Sequence, residues 1–93
     1  MKQRRYRVES PAQLEELGPL IKEGSIDSIL RTWRFYRGTG RGEIWDGAIF
    51  IRFTGDRHRD AAVTKEIRGS VDRCAGLHYN LALHWCEQHL KEA

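Results

Sequence analysis

Arginine and aromatic side chains form the pattern in this chain that best suits binding chemistry. Polar and apolar residues alternate over residues 26–37 and again over residues 43–53, and the glycine-spaced segment 38–42 lies between them. Arginine can donate two hydrogen bonds at once to a phosphate or carboxylate group, and aromatic rings can stack on bases. The pattern favours an anionic partner, with nucleic acid as the first hypothesis.

The candidate contact residues lie on the strand faces that the alternation turns away from the core, extended by arginines in the loops. Phosphate contacts of this kind give affinity and little choice of sequence. The predicted binding set is Arg5, Arg7, Arg34, Tyr36, Arg37, Arg41, Phe50, Arg52, Arg57 and Arg59.

A face rich in arginine and aromatic residues also marks the centres of protein interfaces. The first alternative is therefore a protein-binding inhibitor or adaptor that meets an acidic protein surface, of the kind found on phages and mobile elements. A homodimerising domain is a further form of the same alternative.

A small ribonuclease is the third hypothesis, because residues 56–59 combine an acid, a base and cations. The candidate catalytic residues are Asp46, Asp56, His58 and His78, with Arg57 and Arg59 as charge stabilisers. Asp56 also suits a turn or a helix cap, and a histidine in a charged turn is ordinarily solvated. We therefore predict a binding protein without catalytic residues.

Two ligand-binding motifs do not fit their context. The Gly-x-Gly-x-Gly spacing of residues 38–42 is predicted to join two strands, whereas a phosphate loop leads from a strand into a helix. Cys74 and Cys86 are predicted on one helix, about 18 Å apart along its axis, which is too far for a shared zinc or a disulfide. Unless two copies share a metal, the sequence predicts no metal and no cofactor.

The composition predicts one domain spanning residues 1–93. The chain carries 16 lysines and arginines against 13 acidic residues, a mild net charge of +3 with the basic excess in residues 28–59. It contains no apolar run long enough for a membrane span and no apolar leader after the N terminus. These observations predict a soluble, cytoplasmic protein.

Local patterns predict the elements that position these residues. Residues 3–9 alternate as a strand, Ser10 and Pro11 begin a helix, Gly18-Pro19 splits its last turn, and Gly24 ends it. Residues 26–37 and 43–53 are predicted to pair as a hairpin, with Asp46-Gly47 forming a bulge in preference to a turn.

From residue 56 or 60 onward, apolar residues recur every three or four positions and predict one long C-terminal helix. Such a helix would exceed the width of the domain, so it should bend at Gly69 or Gly76 or meet a second copy. The predicted fold is α+β in the order β-α-β-β-α, with a small antiparallel or mixed sheet covered on one face by a short and a long C-terminal helix. A homo-oligomer could form through that helix or through the open sheet face. The predicted strand core is Tyr6, Val8, Ile29, Trp33, Phe35, Trp45, Ile49, Ile51 and Phe53.

Overall fold

A computed structural model of the protein describes residues 3–36, 47–55 and 61–93. In these ranges, an open antiparallel sheet and separate helices, the last of them C-terminal, confirm the predicted α+β class. The strands are β1 (Arg4–Val8), β2 (Ile21–Glu23), β3 (Gly47–Phe53), β4 (Ala61–Ile67) and β5 (Ser70–Leu77), and the helices are α1 (Pro11–Glu16), α2 (Ile26–Tyr36) and α3 (Tyr79–His89).

The strands form one sheet in the order β1-β3-β4-β5-β2, in which all neighbours are antiparallel. Tyr6 pairs with Ile51, Val8 pairs with Ile49, and Val63 of β4 also pairs with Ile51. Because side chains alternate along a strand, this register brings the apolar residues to a single face of the sheet.

All three helices pack on that apolar face and enclose the core. The Phe53 ring meets Tyr79 of α3 edge-on, with 5.2 Å between ring centroids, an arrangement typical of stabilising aromatic pairs. The other sheet face has no described helix against it. The helix residues buried in the core cluster are Leu14, Ile29, Trp33, Ala82 and Cys86, and Leu17 at the C-cap of α1 is buried with them.

The predicted start of the first helix and its break at Gly18-Pro19 are confirmed, whereas its predicted end at Gly24 was wrong, because Ile21–Glu23 form strand β2. The Ser10 hydroxyl accepts a hydrogen bond from the Gln13 backbone N–H at 3.4 Å, and Pro11 is the first helical residue. Gly18-Pro19 ends the α-helix, and residues Gly18–Leu20 form a separate 3₁₀ turn. The chain then enters β2 directly, a strand that the sequence did not predict.

Residues 26–36 form helix α2, so the strand predicted over residues 26–37 was wrong across residues 26–36. Ile26, Ile29, Leu30 and Trp33 follow the spacing of one helix face, and Ile29 and Trp33 are buried. The helix begins after Ser25, whose hydroxyl accepts from the Ser28 N–H at 3.2 Å. β-Branched and aromatic residues here favour a strand locally, but burial of the helical stripe outweighs that propensity.

Residues 61–77 form a β-hairpin, so the C-terminal helix predicted from residue 56 or 60 was wrong over residues 61–77 and is confirmed only for α3. Arg68 and Gly69 make a two-residue turn with φ angles of 48° and 87°, both in the left-handed region, as a type I′ hairpin requires. Val63 is fully buried while Val71 is 43% exposed, although both belong to the predicted helical stripe.

Strand β5 contains a bulge at Cys74 that reverses the side-chain alternation. Val63 pairs with Ala75, whereas the next residue, Thr64, pairs with Arg73, so Cys74 is an extra residue in β5. Ala75 therefore faces the core while Arg73 faces the opposite side of the sheet.

The two edges of the sheet differ. The outer edge of β1 is occupied by the last residues of the chain, since Glu92 bridges to Tyr6 and the Ala93 N–H donates to the Arg5 carbonyl at 2.8 Å. Strand β5 pairs with β2 only at Gly76 and Leu77. Within the described ranges, no helix has the length and apolar character needed to cross a bilayer.

Candidate functional site

Arginine side chains from three strands share the sheet face opposite the helices, which we call the arginine face. In the register, Arg5 of β1 lies beside Arg52 of β3, and Arg7 lies beside Phe50. The strand pairing continues this face across β4 and β5. The arginine face comprises Arg5, Arg7, Phe50, Arg52, Ala62, Thr64, Glu66, Val71, Arg73 and Gly76.

Arg5 crosses Phe50 to reach Glu66. Its guanidinium carbon lies 4.3 Å from the Phe50 ring centroid, and its Nη1 donates to Glu66 Oε1 at 2.6 Å. Phe50 is only 8% exposed, so its ring is not an open platform for a base. Glu66 Oε2 is buried and has no hydrogen-bond partner among the described residues.

Arg52 faces Arg5 directly across the two strands. Like charges at opposing positions destabilise a sheet, so packing alone does not explain this pair. In the described part of the chain, neither Arg7 nor Arg52 makes a hydrogen bond or an ion pair. The face therefore carries positive charge that its own carboxylates do not neutralise.

Two depressions meet at Arg52. One, of about 260 Å³, is also lined by Thr54, Ala62, Thr64 and Arg73. The other, of about 270 Å³, is lined by Gln3, Arg4, Arg5, Arg52 and Ala93. Arginine thus lines a continuous path from β1 across the sheet to β5.

The remaining predicted residues do not all join this face. Arg34 is exposed on α2, which packs on the opposite side of the sheet. Tyr36 is the last residue of α2, and its side chain is outside the described part, as are Phe35 and Trp45 of the predicted core. Arg37, Arg41, Arg57 and Arg59 also lie outside the described residues. Gly47 begins β3 opposite Ile67, but Asp46 is not described, which leaves the bulge at Asp46-Gly47 a prediction.

Sequence reasoning missed Arg73, because it placed the chain from residue 56 or 60 onward on one long helix. The signal for a hairpin was a two-residue turn at Arg68-Gly69 between segments rich in β-branched residues. Even a correct strand would have put Arg73 on the core side by simple alternation with Ala75. Only the bulge at Cys74 brings it to the arginine face.

Of the four candidate catalytic residues, only His78 lies within the described ranges. His78 is exposed at the N terminus of α3, while Asp46, Asp56 and His58 lie outside the described ranges. Burial raises the pKa of the Cys86 thiol to about 12 and also raises that of Cys74, so both thiols are protonated at neutral pH. In the same ranges, no three histidine, cysteine or acidic side chains are placed to hold one metal ion. The two cysteines lie on β5 and α3, not on the single predicted helix.

The functional conclusion depends on the geometry of the arginine face, because the comparisons with known proteins returned no match. No protein-family model matches the chain, and neither does any curated protein or solved structure.

Proposed function

We propose that this protein is a small binding module whose arginine face contacts the phosphates of single-stranded nucleic acid. The observation that carries the proposal is the alignment of Arg5, Arg7, Arg52 and Arg73 on one sheet face opposite all the described helices. A flat, basic sheet surface can follow a flexible strand of phosphates.

The contacts proposed here are mainly electrostatic. Arg5 covers the Phe50 ring, so the stacking that was expected from the sequence has no open ring among the described residues of this face. Phosphate contacts position a nucleic acid without reading its bases. Binding should therefore vary little with sequence and should weaken steeply as salt increases.

Arg7 and Arg52 are the two residues best placed to supply this charge. Both carry no ion pair within the described ranges, so a phosphate need not displace an internal carboxylate to reach them. Arg5 and Arg73 are paired with Glu66 and Glu23, and their contribution is offset by those acids.

Fluorescence anisotropy with a labelled single-stranded oligonucleotide tests the proposal across a range of salt concentrations. Arg52→Ala and Arg7→Ala should each lower the slope of log affinity against log salt by about 0.7, the value for one phosphate contact on a single strand. Arg31→Ala is the matched control, because Arg31 is exposed on α2 and away from this face. Salt-independent binding, or equal losses in all three variants, would contradict the proposal.

A second candidate function, homodimerisation, is favoured by the outer edge of β5. In a two-residue hairpin the residues that flank the turn, Ile67 and Ser70, form a hydrogen-bonded pair, so the backbone groups of Val71 and Arg73 point away from β4. Strand β2 does not reach them.

Two copies could pair antiparallel along this edge with Val71 opposite Val71. That register sets Ser70 against Asp72 of the other copy, whereas a register centred on Asp72 would oppose two carboxylates. So short an edge buries less area than stable interfaces do, and a weak dimer is expected.

The molar mass in solution, measured by light scattering at increasing protein concentration, tests this second function. Val71→Pro should abolish a dimer and leave the hairpin intact, because the N–H that it removes points outward. A wild-type protein that stays monomeric at the highest concentration would exclude the dimer.

A further inference from the structure

Arg73 and Glu23 form an ion pair that lies flat on the arginine face at Gly76. A Cβ atom added to Gly76 would lie 2.5 Å from Arg73 Nη2 and 2.8 Å from Glu23 Cγ. The missing side chain at Gly76 is thus what lets the guanidinium rest against the sheet. Both paired side chains are about half exposed, with 51% and 57% of their surface accessible.

A small residue separates this guanidinium from Arg52. Arg52 pairs with Ala62 on β4, and Ala62 pairs with Gly76 on β5. Neighbouring strands lie about 4.8 Å apart, so the backbones of Arg52 and Gly76 are roughly 10 Å apart with only a methyl group between them. Arg52 and Arg73 line the same depression.

Two arginine side chains on either side of a methyl-floored gap make a geometry suited to one tetrahedral anion. A phosphate has enough oxygen atoms to accept forked hydrogen bonds from two guanidinium groups at once. Arg52 has no partner within the described ranges, whereas Arg73 is held by Glu23. An arriving phosphate must therefore compete with the Glu23 carboxylate for Arg73.

We propose that the gap over Ala62 is a phosphate-binding site and that Glu23 limits its affinity by competing for Arg73. This inference rests on the proposed function, which it narrows to one site and one competing side chain. The phosphate could be a diester within a nucleic-acid strand or the terminal phosphate of a strand or nucleotide. Both present the same oxygen atoms to the two arginines.

NMR of the arginine side chains during titration with inorganic phosphate tests the site on its own. The Nε–Hε signals of Arg52 and Arg73 should move together and saturate, while that of Arg31 on α2 should not. If neither signal moves at tens of millimolar phosphate, or if all arginines shift alike, the site does not exist. This result is independent of whether the protein binds nucleic acid.

Charge-neutral variants test the competition. Glu23→Gln should tighten phosphate binding roughly two- to fivefold, the range expected from releasing one exposed ion pair. Glu66→Gln is the matched control, because it removes the same charge from the same face but frees Arg5 in place of Arg73. If both variants gain the same phosphate affinity, the gain comes from the change in net charge, and the proposed competition by Glu23 is overturned.

A third variant and two oligonucleotides complete the test. In an Arg73→Gln background, Glu23→Gln should bring no gain, and a gain there would also overturn the competition. Comparing strands with and without a 5′-phosphate separates the two sources, because only a terminal site gains affinity from that phosphate. If the strands bind with a steep salt dependence but Glu23→Gln and Arg73→Gln change nothing, the proposed function survives and this inference fails.

Discussion

The Arg5 guanidinium lies over the Phe50 ring, 4.3 Å from its centroid, and this contact decides what the arginine face offers a ligand. The ring is only 8% exposed beneath it. Arg5 also reaches Glu66, so one side chain joins the charged and aromatic parts of three neighbouring strands. A ligand at this face would therefore contact the guanidinium group of Arg5 and not the ring of Phe50 beneath it.

Replacing Phe50 by leucine should separate structural from ligand-binding roles of the ring. We expect Phe50→Leu to lower the free energy of unfolding by about 1 kcal/mol, because the cation–π contact and some packing are lost. Affinity for single-stranded DNA should stay within about twofold. Urea denaturation and anisotropy measure the two effects, and a tenfold loss of affinity would mean that the ring does stack on bases.

Two valines from the hairpin provide a test of the sheet itself. Val63→Ala should cost roughly 2 kcal/mol of unfolding free energy, since Val63 is fully buried in the core. Val71→Ala should change stability by less than about 0.5 kcal/mol, because Val71 lies half exposed on the opposite face. If thermal denaturation shows equal and large losses of stability in both variants, the two valines lie on one buried helix face and the hairpin is wrong.

The turn between β4 and β5 should respond to the residue at position 68. Arg68 has a φ of 48°, a left-handed conformation that asparagine adopts more readily than arginine, and Asn-Gly is the preferred type I′ pair. We expect Arg68→Asn to raise the unfolding free energy by roughly 0.5–1 kcal/mol, which calorimetry would detect. Arg68→Ala controls for the lost charge and should give no such gain.

Alkaline pH should destabilise the protein partly through Cys86. Its pKa is raised by burial from 9.0 to about 12, so the folded state holds a proton that the unfolded state loses. The stabilisation is complete below pH 9 and falls as pH rises toward 12, with a slope of at most about 1.4 kcal/mol per pH unit. Burial also raises the pKa of Tyr6, which adds to the loss above pH 10.

Denaturation of wild type and Cys86→Ala at neutral pH and at about pH 10 isolates the thiol. The variant should be less stable at neutral pH because of the cavity, yet its stability should fall less between the two pH values. Parallel losses in both proteins would assign the alkaline sensitivity to other groups.

Segments in which several local signals agree were predictable from the sequence. Arg5, Arg7, Phe50 and Arg52 were placed on one side of their strands by simple alternation, and the register brings them together. Ser10 gave the start of α1, because a capping hydroxyl and a proline at the first helical position act through adjacent residues only.

Segments in which the apolar spacing fits two periods were not predictable. Ile29 and Trp33, four residues apart, suit a strand face as well as a helix face, and only packing against the sheet selects the helix. Arg73 depends on an extra residue in β5, and a bulge is fixed by the partner strand and not by the local pattern. Neither a helical nor a strand period could therefore have placed Arg73 on the arginine face.

The hydrogen bond from the Ala93 N–H to the Arg5 carbonyl determines which edge of the sheet can pair with a second copy. With Glu92 and Ala93 seated along β1, that edge has backbone groups already engaged, while β5 keeps an exposed stretch. Copies that joined through β5 could not add a third copy at β1, and among the described strands only the outer side of β2, three residues long, would stay open. Self-association of this chain would then proceed through β5 and not through β1.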